Sequence, residues 1–441
     1  RVRAEWKDNR LTILGDDVEE DLPSITLTTE KKVGEKIELS INAEPEDQAD
    51  VWIDLNNNKV KDAGESITEF DPPQEYTLGS RTIAVYGKVT ELYCYSNSLT
   101  SLDVSKNTAL TELVCNSNSL TSLDVSKNTA LTVLDCSSNS LTSLDVSKNT
   151  ALTELYCHSN SLTSLDVSKN TALTELRCYS NSLTSLDVSK NTELEWLICN
   201  SNSLTSLDVS KNTALTRLDC YSNSLTSLDV SKNTALGQLY CNSNFLTLLD
   251  VSKNTALTYL NCEENANLSS LKISSSINDE LSVKSCKLSA ETLNEIFRTL
   301  PDVKGQSFGR KKIWIANNPG TDACNKKIAK DKGWKLDVGD TPPAGYSMTM
   351  TTTKAVGEKI KLSINAEPED QADVWIDLNN NKVKDAGESV TEFGSDKEYT
   401  LGSQTITVHG KVTDFRCRGE QLSSLDVSNN TALEQLFCYK N

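Results

Sequence analysis

Nine cysteines, Cys94, Cys115, Cys136, Cys157, Cys178, Cys199, Cys220, Cys241 and Cys262, recur at one constant interval without an insertion. Around each runs nearly the same text, as in Leu110-Thr-Glu-Leu113-Val-Cys115-Asn-Ser-Asn118-Ser-Leu120-Thr-Ser-Leu123-Asp-Val125-Ser-Lys-Asn128. A unit this short buries its apolar side only by stacking on a neighbour, so the strict period predicts a solenoid. Equivalent residues of neighbouring units then sit on adjacent parallel strands ~4.8 Å apart, with both side chains pointing into the core. A disulfide wants Cβ atoms ~3.8 Å apart and turned toward each other. The nine cysteines therefore read as a ladder of buried free thiols acting as small hydrophobes. The chain has 13 cysteines, an odd number, so at least one thiol lacks an intramolecular partner.

Within each unit, Leu113 and Cys115 alternate inward while Val114 and Asn116 point out. Asn97, Asn118, Asn139 and their equivalents are expected to turn inward and satisfy loop amides, because an unpaired buried donor costs about 1–3 kcal/mol. Leu123 and Val125 fill the opposite wall. The pattern L-x-x-L-x-C-x-x-N-x-L resembles the leucine-rich repeat, with cysteine in the third leucine slot. The added Leu-Thr-Ser-Leu-Asp-Val-Ser-Lys-Asn-Thr resembles bacterial internalin-like surface proteins, particularly the type that carries a cysteine ladder. The resemblance covers 89–285 and the stretch 412–441. It implies a mostly β, right-handed coil with a parallel sheet along its concave side. Ten strands would make that face on the order of 40 Å long.

A longer repeat is superimposed on the short one. The text from Val33 through the Val51-Trp-Ile-Asp-Leu-Asn-Asn-Asn run returns almost verbatim from Val356 onward. At the same offset Tyr76 maps to Tyr399, Cys94 to Cys417 and Cys115 to Cys438. Seven segments follow: an N-terminal segment 1–23, a small β-sandwich 24–88, the solenoid 89–285, a C-terminal capping region 286–340, a linker 341–346, a second copy of the β-domain 347–411, and the start of a second array, 412–441. The alternating runs Ile25–Leu27, Ile37–Ile41, Val51–Ile53, Tyr76–Leu78 and Ile83–Val85 supply the strands of the sandwich. It leads directly into the first coil, where it would cover the open hydrophobic end. At the far end Val283 stands in the cysteine slot and Cys286 in the asparagine slot. A helix capped by Ser289 is expected over 289–300, a strand at Ile313–Ile315 and a second helix near Thr321–Lys332. The opening at Arg1-Val2-Arg3 and the arrest at Asn441, part-way through the second array, read as a trimmed piece of a longer tandem protein.

Three positions around each cysteine change almost every time. Before the inner leucine come Glu91, Glu112, Val133, Glu154, Glu175, Trp196, Arg217, Gln238 and Tyr259. Between leucine and cysteine come Tyr93, Val114, Asp135, Tyr156, Arg177, Ile198, Asp219, Tyr240 and Asn261. After cysteine come Tyr95, Asn116, Ser137, His158, Tyr179, Asn200, Tyr221, Asn242 and Glu263. All three sets are expected to face solvent on the concave sheet. Drift of exposed positions would spread to every exposed slot, yet Lys106 and its equivalents through Lys253 keep the same outward place. The variation therefore reads as diversification for binding, in residues typical of binding hot spots and rigid paratopes. The densest cluster is Tyr156, His158, Arg177, Tyr179, Trp196, Arg217, Tyr221 and Tyr240. Phe245 and Leu248, apolar where sister repeats have serine, read as drift.

Asp54-x-Asn56-x-Asn58-x-Val60-x-Asp62-x-x-Glu65 has the spacing of an EF-hand loop, and Asp377, Asn379, Asn381, Val383, Asp385 and Glu388 repeat it. Structural calcium is the expectation, although Lys59 and Lys382 stand where a sharp turn favours glycine. The plainer reading is a polar hairpin loop in which Asn and Asp stabilise the turn themselves.

A formal charge of -18 argues against nucleic acid and anionic membranes. No apolar run approaches the ~18 residues of a spanning helix. The chain has two histidines, and neither sits in a catalytic motif, so no enzyme is expected. The sequence thus points to a monomeric, secreted or surface-displayed bacterial recognition protein, binding a host or neighbouring-cell surface protein. A glycan held by the exposed rings, or a self-associating spacer, are the alternatives.

Overall fold

The computed structural model describes the backbone of Ala4–Lys7 and Arg10–Ile13, and residues 22 to 438 apart from 307–308, 339–345, 369, 382 and 386. All but one residue of the expected linker therefore lies outside the described residues. The chain divides into two compact units, Arg1–Leu336 and Asp337–Asn441.

In the first unit every repeat donates one three-residue strand to a parallel ladder. Glu112, Leu113 and Val114 stand opposite Val133, Leu134 and Asp135, and the same register recurs turn after turn, through Tyr259–Asn261 against Glu280–Ser282. The strict period is the cause: with no residue inserted, each side chain meets its own equivalent on the next turn. Leu110, Leu113, Leu120 and Val125 are fully buried, as is every cysteine of the ladder. The ladder thiols are free. Burial pushes those of Cys94 and Cys178 up to about 12, which keeps them protonated.

Two files of asparagine tie the turns together. Asn118 Oδ1 accepts from the backbone N–H groups of Asn97 and Leu99 at 3.0 and 2.9 Å, and its Nδ2 donates to the Cys94 and Cys115 carbonyls. This is the ladder legible from the sequence. A second file, Asn107, Asn128, Asn149, Asn170, Asn191, Asn212, Asn233 and Asn254, is wholly buried on the other side. There Asn128 Nδ2 donates to the carbonyls of Val104 and Asn107 at 3.0 and 2.7 Å. The corner after each concave strand is turned by a residue in the left-handed region, such as Ser117 at φ 57°.

The β-domain shares both walls of the coil. Lys36–Asn42 pairs antiparallel with Gln74–Thr77 on one side and with the first coil strand, Glu91–Tyr93, on the other. It thereby joins one 14-stranded sheet that continues through the solenoid to Lys312–Trp314 and Lys335–Asp337. A second sheet orders Trp52–Asp54, Thr82–Tyr86, Ser24–Thr29 and Leu99–Asp103, the last strand belonging to the first coil. Ile25, Leu27, Ile37 and Leu39 fill the space between the two sheets.

At the far end Val283 occupies the cysteine slot, fully buried, and Cys286 donates its thiol to the Cys262 carbonyl at 3.3 Å, substituting for an asparagine amide. The helix Ala290–Thr299 is capped by Ser289 Oγ, which accepts from the Thr292 N–H, and it buries Leu293, Ile296 and Phe297. The second helix is shorter than expected. Only Lys327–Lys330 is helical; Lys326 before it makes no side-chain cap, and Asn325 Oδ1 accepts from the Lys327 N–H instead.

The second unit repeats the β-domain topology at the offset seen in the sequence, around Met348, Met350, Ile360, Leu362, Ile376 and Phe415. Gln435–Phe437 there pairs parallel with Asp414–Cys417. Cys417 and Cys438, one period apart, are joined as a disulfide with Cα atoms 4.9 Å apart. The sequence argument against bonds between neighbouring turns is thereby corrected. A disulfide spans Cα separations of roughly 4.4–6.8 Å, and parallel neighbours fall inside that window.

Candidate recognition surface

The varying residues flank the buried leucine of each concave strand, because side chains alternate along a strand. Glu154–Tyr156, Glu175–Arg177, Trp196–Ile198, Arg217–Asp219 and Gln238–Tyr240 carry Tyr156, Arg177, Trp196, Arg217 and Tyr240 of the cluster singled out in the sequence; His158, Tyr179 and Tyr221 follow just after their strands, and Tyr259–Asn261 extends the row. Their in-register stacking brings large side chains on neighbouring turns face to face. The Arg177 guanidinium lies 4.8 Å from the Tyr156 ring centre and 6.0 Å from that of Trp196. Arg217 lies 5.8 Å from Trp196 and 5.3 Å from Tyr240. Tyr240 and Tyr259 follow at 4.6 Å. The result is a continuous file, Tyr156, Arg177, Trp196, Arg217, Tyr240, Tyr259, crossing six turns. Beside it His158 and Tyr179 stack at 4.1 Å and 9°, and the Tyr179 hydroxyl lies 3.3 Å from His158 Nε2.

Carboxylates hold the file in place. Arg177 Nε donates to Glu175 at 2.5 Å, and Arg217 donates from Nε and Nη2 to both oxygens of Asp219 at 3.1 and 2.8 Å. The Tyr156 hydroxyl donates to Glu154, and that of Tyr259 to Glu280. Burial lowers the pKa of His158, with Asp135 opposing and Arg177 assisting, so the ring is neutral at pH 7.

Full exposure of the three sets does not hold everywhere. Asp219 retains 5% of its surface and Ile198 9%, and Ser137 and Asn200 are buried too. Asp219 is covered by its own arginine, and Ile198 lies between Arg177 and Asp219 on the strands either side. Of the remaining expected contact residues, Tyr95, Trp196 and Gln238 are exposed, and Tyr93, Asp135, Tyr221 and Glu263 are part-buried. Phe245 and Leu248 are exposed apolar side chains away from this face, and Leu248 belongs to a short strand paired with Ser270–Lys272.

The acidic loops close on themselves. Asp54, fully buried, accepts from the Asn58 and Lys59 amides, while Glu65 accepts from those of Leu55 and Asp62. Asn56 and Asn58 both donate Nδ2 to Asp62 Oδ2, at 2.8 and 2.7 Å. Lys59 adopts φ 61°, so a lysine makes the turn where glycine is usual. Asp377, Asn379, Asn381, Val383, Asp385 and Glu388 repeat the other bonds of the arrangement, Lys382 lying outside the described residues. Among the described residues no group of three His, Cys, Asp or Glu side chains is drawn together in a metal-binding cluster. Nor is any described helix long and apolar enough to cross a membrane.

Neither a protein-family model nor a curated protein matches this chain. Among solved structures it is similar to the functional domain of InlJ from Listeria monocytogenes, which includes a cysteine ladder. That match is 24% identical, covers 73% of this chain and 86% of the other, and has a TM-score of 0.35. An internalin of the same organism, InlF, is 19% identical over 56% of this chain and 86% of its own, at a TM-score of 0.40. YopM, a leucine-rich effector from Yersinia pestis, is 22% identical over 52% and 61%, at 0.41. The leucine-rich-repeat fold itself rests on the register, the cysteine ladder and the asparagine file described above.

Proposed function

We propose that the first unit is a non-enzymatic recognition module of a secreted or surface-displayed bacterial protein, and that its concave sheet binds a protein partner. The observation that carries this reading is the confinement of variation: the positions that change at almost every repeat lie along one sheet, while the surface opposite repeats the same Asp, Ser and Lys. In the file from Tyr156 to Tyr259 each ring or guanidinium already packs on its neighbours before any partner arrives, which reduces the side-chain entropy left to lose on binding. Its geometry favours a protein over a glycan. Sugars stack on open ring faces, whereas Trp196 has guanidinium groups over it from the strands on either side, and His158 and Tyr179 cover each other. Edges and polar tips are what such a file offers, and these suit the mixed contacts of a protein interface.

The test is capture of a surface protein by the intact chain, followed by a binding titration. Trp196→Ala, Tyr179→Ala and Arg217→Ala should each weaken binding by tenfold or more, and Lys148→Ala and Lys169→Ala on the opposite wall should leave it within twofold. Equal losses from the two walls would overturn the reading. Binding to a glycan array that survives Arg217→Ala but not Trp196→Ala would favour the sugar instead, and concentration-dependent mass in ultracentrifugation would favour a self-associating spacer.

We infer a structural calcium role for the two acidic loops from their twelve-residue spacing and from the bonds that gather Asp54, Asn58, Asp62 and Glu65 within one loop. Calcium should raise the melting temperature and chelator should lower it. Coincident melting curves would leave the loops as hydrogen-bonded turns.

A further inference from the structure

Charge is distributed unevenly between the two walls of the solenoid. The outer wall carries one Asp and one Lys per turn, from Asp103 and Lys106 to Asp250 and Lys253, and these cancel. At the varying positions of the concave wall, by contrast, carboxylates outnumber cations. The two arginines, Arg177 and Arg217, are already matched by Glu175 and Asp219. Of the five carboxylates not matched by an arginine, four stand in the first four turns, Glu91, Glu112, Asp135 and Glu154, while the fifth, Glu263, lies at the far end and accepts from the Ser282 hydroxyl.

Two features make this more than a solvated acidic patch. First, Glu91 and Glu112 stand directly opposite each other on adjacent strands. Like charges in that relation destabilise a sheet, and the Glu91 carboxyl has its pKa raised by burial and, further, by Glu112. Second, tyrosines are built into the same tract. The Tyr156 hydroxyl donates to Glu154, which fixes that carboxylate at the tip of the ring, and Tyr93 lies on the strand paired with that of Glu112. An aromatic wall ending in a fixed negative charge fits a long cationic side chain, whose stem lies on the ring while its head meets the carboxylate.

We propose that the first four turns of the concave face receive a cationic segment of the protein partner, with lysine or arginine side chains laid along Tyr93 and along Tyr156 on its Asp135 side, away from Arg177, and paired with Glu112 and Glu154. This rests on the concave face being the recognition surface, and it divides that face in two. The Tyr156–Tyr259 file provides the rigid contact area, and the acidic turns select the charge of what docks beside it. The net charge of -18 would steer such a partner in, and the selectivity arises from these four turns.

The intact chain is titrated with two capped peptides, hexalysine and hexaglutamate, at low and physiological salt. Three proteins are compared: the unaltered chain, Glu91→Gln/Glu112→Gln/Glu154→Gln, and Asp124→Asn/Asp145→Asn/Asp166→Asn on the outer wall. Both variants remove three charges, and melting curves verify that both fold. Hexalysine affinity is expected to fall at least fivefold in the concave variant and to stay within twofold in the outer-wall variant, with no hexaglutamate binding. Equal losses in the two variants, no loss in either, or no hexalysine binding by the unaltered chain would overturn the proposal. A captured partner lost by Trp196→Ala but fully retained by the concave glutamine variant would also overturn it, while leaving the recognition reading intact.

Discussion

At the scale of single residues, the buried asparagines are the most exacting feature of the chain. Asn170 is fully buried, and its Nδ2 donates to the carbonyls of Val146 and Asn149 at 3.0 and 2.8 Å. Its Oδ1 has no hydrogen-bond partner among the described residues. Asn170→Ala removes two hydrogen bonds, but the Val146 and Asn149 carbonyls keep the N–H groups of Asn149 and Leu152 and the solitary acceptor goes too, so the net cost is expected at about 1–2 kcal/mol, roughly 1 kcal/mol per lost bond. Asn170→Asp should cost more, because it removes the donor and places a carboxylate beside two carbonyls in a dry interior. Urea denaturation of the two variants gives the comparison, and an aspartate variant as stable as the alanine one would contradict this account of the file. The periodic text displays these asparagines plainly, but each stands next to a constant exposed lysine, and that text carries no sign of an inward turn. Whether Asn in a Ser-Lys-Asn-Thr run turns in or out depends on the corner of the coil, which no single repeat encodes.

At the scale of the strand, register converts sequence spacing into contact. The parallel ladder, the buried thiols and the inward Asn118 file were all legible, because a period without slips admits one stacking. Which outward side chains would be covered was less legible, since that depends on pairs one full repeat apart rather than on each position alone. Asp219 vanishes beneath Arg217, and Arg217 is itself ordered between Trp196 and Tyr240. A double-mutant cycle on Arg217→Ala and Trp196→Ala should return a coupling of about 0.5–1 kcal/mol in folding stability, the usual worth of a partly exposed cation–π pair. Arg217→Lys should lose most of it, because an ammonium cannot make the two bonds to Asp219 while lying flat between rings. A coupling within error of zero would mean that the file is mere adjacency, and the preorganisation invoked for binding would lose its support. The acidic loops show the opposite balance: their spacing was plain, while the amide-to-carboxylate bonds that close them depend on how Asn56 and Asn58 rotate.

At the scale of the first unit, the β-domain and the solenoid behave as one sheet system rather than as beads on a string. Ser40, Ile41 and Asn42 pair with Tyr93, Leu92 and Glu91, while Ser24–Thr29 pairs with Leu99–Asp103 on the other wall. Asn97 stitches the junction: its Oδ1 accepts from Glu38 N–H and its Nδ2 donates to the Glu38 carbonyl. A chain beginning at Val89 would therefore expose two strand edges together with Leu92, Cys94 and Leu99, all fully buried in the intact unit. Bare edges of this kind template association with other chains. In a repeat array, stability is carried by contacts between neighbouring turns, so damage at one end should spread inward before it is arrested. Hydrogen exchange is expected to show lost protection in the first two or three turns after removal of residues 1–88, with Trp196–Ile198 and beyond unchanged. Concentration-dependent aggregation should accompany it. Asn97→Ala in the intact unit should loosen the same turns to a smaller degree without aggregation, since both edges remain covered. Full protection of Glu91–Tyr93 in the truncated chain would show instead that the coil closes its own end, and that the shared sheets are contiguous without being cooperative.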